Sequence, residues 1–176
     1  MPTVSDRRSP LRRTDRCSNV GRMAAELARS SGMPPANISR MQLAGHLHDV
    51  GRASLPSGLV ESDALTDEER ALLQGYPARS AQMLQLMGGH FVADVVRHHR
   101  ERWDETGFPD GRERESIHEG ARILAVAHAV DEIVSQIGAA QALIMARLRS
   151  RAGTDLDPAI VATATTHLPA ILSARN

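Results

Sequence analysis

The chain has 176 residues, of which 41% are hydrophobic and 24% are charged, with a formal net charge of zero. This length suits one globular domain, and the charge balance argues against a nucleic acid polymer or an anionic membrane as partner. No apolar run approaches the ~20 residues of a membrane span, so membrane insertion is not expected, and the single cysteine, Cys17, excludes an intramolecular disulfide and fits a cytoplasmic setting.

Residues 1–14 are polar and rich in arginine, and we interpret them as a flexible arm or the remnant of a linker. Residues 15–176 then form the domain. The pattern of apolar residues predicts helices, in chain order, over about 15–31, 36–48, 66–87 with an interruption near 75–77, 91–103, 118–134 and 139–151, and from 157 onward. A loop rich in glycine, proline and aspartate is expected over 104–116.

The helix boundaries carry local signals. Thr66 is followed three residues later by Glu69, which is a capping box, and Asp157 precedes Pro158 as an N-cap does. Aromatic residues are only 2% of the chain, so aliphatic side chains must build the core, and no strand is indicated. The sequence therefore predicts an all-α bundle of about seven or eight helices.

The adjacent pair His48 and Asp49 ends a mostly apolar helix. An imidazole and a carboxylate side by side can share one ion of zinc, manganese, iron or nickel. The alternative is structural, with the histidine near the negative end of the helix dipole and the aspartate capping the loop.

Two further histidines lie on apolar helix faces. His99 shares a face with Val92, Val95 and Val96, and His128 lies among alanine, valine and leucine. A histidine buried in such surroundings needs a bonding partner, which a metal ion, a neighbouring carboxylate or a backbone carbonyl could provide.

Five segments of the chain, taken together, resemble the HD-GYP family of bacterial phosphodiesterases. They are HDVGRASLP (48–56), LTDEERALLQGYP (65–77), HRERWDETGFP (99–109), ARILAVAHAVDE (121–132) and LDP (156–158). The resemblance implies an HD-domain helical bundle, two or three first-row metal ions, and hydrolysis of c-di-GMP or a related cyclic dinucleotide.

The departures from the family pattern bear on function. Where the resemblance implies histidine ligands, the chain has Arg16, Tyr76 and Arg100, and where it implies an aspartate ligand the chain has His128. The metal ligands that remain are His48, Asp49, His99 and His128. They predict at most one divalent ion (iron, manganese, zinc or nickel), or no metal at all.

The same alignment assigns roles to the neighbouring residues. Asp49 is expected to orient or deprotonate water, and Arg52, counted with it as catalytic, is expected to contact phosphate oxygens together with Arg100. Arg100 could instead stand where a metal stood and repel a cation. The family's GYP motif corresponds to the loop Gly107, Phe108 and Pro109, in which Phe108 is either a docking residue or an anchor on its own domain.

Three functions follow. The first is a metal-dependent phosphohydrolase or phosphodiesterase with a degenerate site, acting in cyclic dinucleotide signalling. The second is a catalytically silent regulatory domain that senses a nucleotide or docks a partner, and the third is a purely structural bundle. The partners considered are a nucleotide or phosphoester ligand, a signalling protein and a second copy in a homodimer.

Overall fold

The computed structural model describes residues 10–56, 59, 64–87 and 89–175, which form a bundle of helices. Its α-helices are α1 (Pro10–Ser30), α2 (Pro35–Leu47), α3 (Asp67–Gln74), α4 (Tyr76–Leu86), α5 (His90–His98), α6 (Glu119–Ile137), α7 (Gln141–Arg151), α8 (Pro158–Thr166) and α9 (Leu168–Ala174). Two 3₁₀ turns lie at Val50–Ser54 and Arg114–Ser116. The described residues contain no strand, only an isolated bridge between Ala152 and Leu156, and the all-α prediction is confirmed.

The main core lies where α1, α2, α5 and α6 pack together. Helix α6 is buried along most of its length, and it contributes Ile123, Leu124 and Val130 as well as several alanines. Alanine takes little room, so neighbouring helices can approach α6 closely and still fill the interior. This burial places His128, on the same helix, beside the core rather than on an open surface.

A second, smaller cluster lies beside the His-Asp pair. Leu55, Leu59 and Tyr76 are buried in it, and Phe108 packs against it from the long loop. Gly51 permits this arrangement, because a Cβ atom there would lie 2.4 Å from the Tyr76 carbonyl oxygen. Its backbone N–H donates to Ser80 Oγ over 2.7 Å. The close contact brings the His48–Asp49 segment against the start of α4.

The N-terminal boundary differs from the prediction. Helix α1 begins at Pro10 instead of near residue 15, so residues 10–14 of the predicted arm are helical. Residues 1–9 of that arm lie outside the described residues. The predicted start used the first apolar stripe as its signal, but a helix can extend beyond the stripe that packs on the core.

Two other boundaries are corrected. Helix α5 ends at His98 rather than near residue 103, and the last predicted helix divides into α8 and α9 at His167, just before Leu168 and Pro169. The capping box is confirmed, since Thr66 Oγ1 accepts from the Glu69 N–H and Glu69 Oε2 accepts from the Thr66 N–H. None of the described helices has the length and apolar character needed to cross a membrane.

Candidate metal and phosphoester site

His48 and Asp49 lie directly after α2, at the entry to the first 3₁₀ turn. The Nδ1 atom of the buried His48 is 2.7 Å from the Gly45 carbonyl oxygen. Because a carbonyl can only accept, Nδ1 carries the proton and the lone pair lies on Nε2. This Nε2 atom is 3.6 Å from Asp49 Oδ1. The pair therefore presents one nitrogen and one oxygen toward the same point.

His99 follows α5 and is oriented in the same way. Its Nδ1 donates to the Val96 carbonyl over 2.7 Å, which leaves the Nε2 lone pair facing the site. Its ring centroid is 5.2 Å from that of His48. A backbone carbonyl that fixes the protonated nitrogen is how proteins commonly orient a histidine ligand, so the two imidazoles are preset for coordination.

His48, Asp49 and His99 form a group whose ligand atoms all lie within 4.8 Å of one another. The Asp49 Oδ1 atom is buried and has no hydrogen bond in the part of the chain that the structure describes. Arg52 Nε is 3.2 Å away but is not aligned for one. Since a buried carboxylate oxygen normally has a partner, this donor set fits one divalent first-row ion.

His128, the fourth predicted ligand, reaches the cluster from α6. Its ring centroid is 5.5 Å from that of His48, but it lies outside the group of three. Burial lowers the pKa of His128 well below its ordinary value, and the charges of His48 and Arg100 lower it further. His128 is therefore neutral near pH 7, which is the form that binds a metal.

The other ionisation states in the cluster also suit coordination. Burial lowers the pKa of His99 well below its ordinary value, with the charges of His48 and Arg100 adding to the effect. Burial alone would raise the pKa of Asp49, but the nearby charges of His48 and Arg52 bring it well below its usual range. At neutral pH an ionised carboxylate thus lies beside a neutral imidazole.

Tyr76, at a position where the resemblance implies a ligand, contacts the cluster directly. Its hydroxyl is 3.1 Å from His99 Nε2, and the Arg52 guanidinium carbon lies 4.5 Å from the centre of its ring. Burial and the charge of Asp49 raise the pKa of Tyr76 to about 12, so the hydroxyl keeps its proton and donates it to His99. Tyr76 and a metal ion would compete for the same nitrogen lone pair.

A pocket of about 330 Å³ opens beside the cluster, with His99 and His128 in its lining. The rest of the lining comes from the end of α3, the segment after α5, helix α6, and the end of α7 with the residues that follow it. It consists of Gln74, Arg100, Glu101, Arg102, Thr106, Phe108, Ala125, Glu132, Arg151, Asp155 and Leu156. Arg100 therefore lies in the pocket, where a residue that binds phosphate is expected. Arg52, the other predicted phosphate ligand, is outside this lining and lies against Asp49 and Tyr76.

Residues 1–160 match the family model described as HD domain. The chain belongs to the HD-domain family. It is 38% identical over 112 residues to a cyclic di-GMP phosphodiesterase of Pseudomonas aeruginosa, an alignment that covers 62% of this chain and 27% of that protein. It is 31% identical over 125 residues to the cyclic di-GMP phosphodiesterase response regulator RpfG of Xanthomonas campestris pv. campestris, covering 69% of this chain and 32% of that protein.

Solved structures show the same fold. A protein from Bdellovibrio bacteriovorus described as a HDG"Y"P protein superposes with a TM-score of 0.71 at 22% identity, over 92% of this chain and 54% of that one. A cyclic GMP-AMP specific phosphodiesterase of Vibrio cholerae gives 0.73 at 18% identity, over 95% and 46%. The predicted resemblance to HD-GYP proteins is confirmed, and this HD domain spans about a quarter to a third of the two curated relatives compared above.

The loop Gly107–Phe108–Pro109 of this HD domain is held by a residue that the sequence did not single out. The buried Glu101 accepts from the backbone N–H groups of Asp110 and Arg112, over 2.7 and 3.1 Å. Gly107 fits against the same segment, because a Cβ atom there would lie 2.3 Å from the Arg102 nitrogen. The Phe108–Pro109 peptide is cis. Phe108 packs on the smaller cluster, as the anchor interpretation predicts.

Arg16, which replaces an expected histidine ligand, forms an ion pair instead. Its Nε is 3.0 Å from Oδ2 of Asp131, whose other oxygen lies 3.1 Å from Arg175 Nε. Asp131 is fully buried and links α1, α6 and the end of α9. Asp131 and Glu132 lie three and four residues after the predicted ligand His128, which is about one helical turn, but only the folded chain shows that Asp131 is the buried one.

Proposed function

We propose that this HD domain is a metal-dependent phosphohydrolase with a single-metal site. The observation that supports it best is the group His48, Asp49 and His99, whose ligand atoms lie within 4.8 Å of one another around a buried carboxylate oxygen that has no hydrogen bond among the described residues. His128, on α6, would complete a set of four. The metal's identity, among iron, manganese, zinc and nickel, stays a prediction.

A single ion, rather than a pair, agrees with the residues around the cluster. Tyr76 and Arg100 stand at expected ligand positions, where a protonated phenol and a permanent cation are poor replacements for an imidazole ligand. One bound metal ion supplies Lewis-acid polarisation and lowers the pKa of water, whereas the clamp on two oxygens needs two ions.

Asp49, Arg52 and Arg100 have the remaining roles in binding and orienting a substrate. The low pKa of Asp49 makes it a poor proton acceptor and favours the orienting role over the deprotonating one. Arg52 lies against Asp49 and the Tyr76 ring, so it positions these two groups. Arg100 faces the pocket, where its guanidinium can bind phosphate oxygens.

The relatives suggest where to look for the substrate. Two of them are named as cyclic di-GMP phosphodiesterases, and one structural neighbour as a cyclic GMP-AMP phosphodiesterase. A role in cyclic dinucleotide signalling, with a signalling protein as partner or with a second copy of the chain, is therefore part of the proposal. Phe108, which packs on the smaller cluster, stays a candidate docking residue for such a partner.

The second candidate is a regulatory domain without catalysis, and Tyr76 favours it. With its hydroxyl on His99 Nε2, the imidazole is satisfied on both nitrogens by the protein alone. Such a site could bind a nucleotide in the pocket while the metal position stays closed.

Elemental analysis of the protein purified without chelator distinguishes the metal-dependent phosphohydrolase from the regulatory domain. We expect about one equivalent of iron, manganese, zinc or nickel in the wild type, and loss of that metal in His48→Ala. His90→Ala, which removes an exposed histidine at the start of α5, is the matched control and should retain it. A metal-free wild type, even after incubation with each ion, would exclude the phosphohydrolase and leave the regulatory domain.

A further inference from the structure

The pocket beside the metal cluster contains three arginines, and two of them are already neutralised. Arg102 donates to Asp104 over 2.8 and 3.0 Å and to Thr106 over 2.7 Å. Arg151 contacts Asp155 over 2.5 and 2.8 Å and Glu132 over 3.3 Å. Each of these guanidinium groups is thus paired with at least one carboxylate, which offsets its charge.

Arg100 differs from both. Among the described residues its guanidinium makes no hydrogen bond and no ion pair, and the guanidinium carbon lies 5.7 Å from the centre of the Phe108 ring. Arg100 is therefore the arginine of the pocket that has no carboxylate partner among the described residues, and it lies beside a half-buried aromatic ring.

The volume of the pocket also favours a small ligand with one anionic group. Its volume of about 330 Å³ is at the small end of the ~300–1,000 Å³ range of ligand sites. A cyclic dinucleotide has two nucleotide units and two phosphodiesters, so it needs room for two bases and a partner for each charge. One nucleotide needs one anion site and one surface for its base.

We propose that this pocket binds a nucleoside monophosphate in preference to a cyclic dinucleotide, with the phosphate on Arg100 and the base against Phe108. A guanidinium binds phosphate oxygens through paired charge-assisted hydrogen bonds, and an aromatic face next to it stacks on a base with little dependence on sequence. The inference rests on the proposed function, because it takes this pocket as the phosphoester site.

Calorimetric titration of the full chain in the presence of EDTA tests it. The probes are GMP, c-di-GMP and inorganic phosphate. We expect GMP to bind at least tenfold more tightly than c-di-GMP. Arg100→Gln should weaken GMP binding by about tenfold or more, which is the loss expected for a charge-assisted pair of hydrogen bonds. Phe108→Ala should weaken GMP binding and leave phosphate binding unchanged.

Arg147→Gln, which removes an exposed arginine on α7 outside the pocket, is the matched control and should bind GMP as the wild type does. The proposal is wrong if c-di-GMP binds as tightly as GMP, if no nucleotide binds, or if Arg102→Gln weakens GMP binding as much as Arg100→Gln. Because the metal is removed for these titrations, a failure of the metal-dependent function shows in the elemental analysis and not here.

Discussion

Replacing Tyr76 with phenylalanine should tighten metal binding by this domain. The Tyr76 hydroxyl donates to His99 Nε2 over 3.1 Å, and a metal ion must break that bond to use the lone pair. A buried hydrogen bond contributes about 0.5–1.5 kcal/mol net, so removing the hydroxyl should lower the dissociation constant by about 2- to 13-fold. Tyr76→His, which adds a possible ligand at the same place, should lower it further.

The assay is a competition titration of Zn²⁺ or Mn²⁺ against a chromophoric chelator, with thermal unfolding monitored on the same samples to confirm that each variant folds. His48→Ala, which removes a member of the cluster, sets the baseline for non-specific binding. If Tyr76→Phe folds and binds metal more weakly than the wild type, the phenol is itself a ligand. That result would refute both the competition and the reasoning from its pKa of about 12.

Three further predictions concern stability. Asp131→Ala should lower the free energy of unfolding, measured in urea, by about 1–3 kcal/mol, because two arginines lose the buried carboxylate that they bind and can only partly reach water instead. A decrease of less than about 0.5 kcal/mol would mean that the ion pairs do not hold α1 and α9 to α6. Glu101→Ala should leave two loop N–H groups without an acceptor and cost about 1–3 kcal/mol, with faster hydrogen exchange at Asp110; unchanged exchange there would contradict this role. In EDTA, the free energy of unfolding should fall as the pH drops below about 6.5, by up to about 1.4 kcal/mol per pH unit for each of His99 and His128. The reason is that these histidines bind protons in the unfolded chain but stay neutral when they are buried in the folded one. A free energy of unfolding that does not change between pH 7.5 and 5.5 would show that both imidazoles are hydrated.

The sequence predicted the residues of the cluster better than their contacts. His99 could be found because the apolar spacing of its helix turns it inward, whereas His48 and Asp49 were found as an adjacent pair at the end of an apolar helix and through the segment that resembles the HD-GYP family. The bond between Tyr76 and His99 could not, because it depends on how closely α4 approaches the first 3₁₀ turn, which Gly51 permits. Periodicity describes one helix at a time and contains no information on such an approach.

The end of α5 was missed for a similar reason. Residues 99–103 include arginine and glutamate, which favour helix continuation, and no glycine or proline interrupts them. In the folded chain the carboxylate of Glu101 binds loop N–H groups up to eleven residues away. A contact of that range outweighs local propensity. The pairing of Arg16 with Asp131, 115 residues apart, was beyond prediction on the same grounds.

Most of the candidate site lies at helix ends. His48 follows α2, Tyr76 begins α4, and His99 and Arg100 follow α5, while the buried middles of the helices build the main core. None of these four side chains belongs to the main core, although Tyr76 is buried in the smaller cluster, so the chemistry of the site and most of the packing of the scaffold are separable properties. At these positions a ligand can therefore be exchanged for a phenol or a guanidinium by a single substitution that leaves the main core in place, so the chemistry of such a site can change while the architecture of the bundle does not.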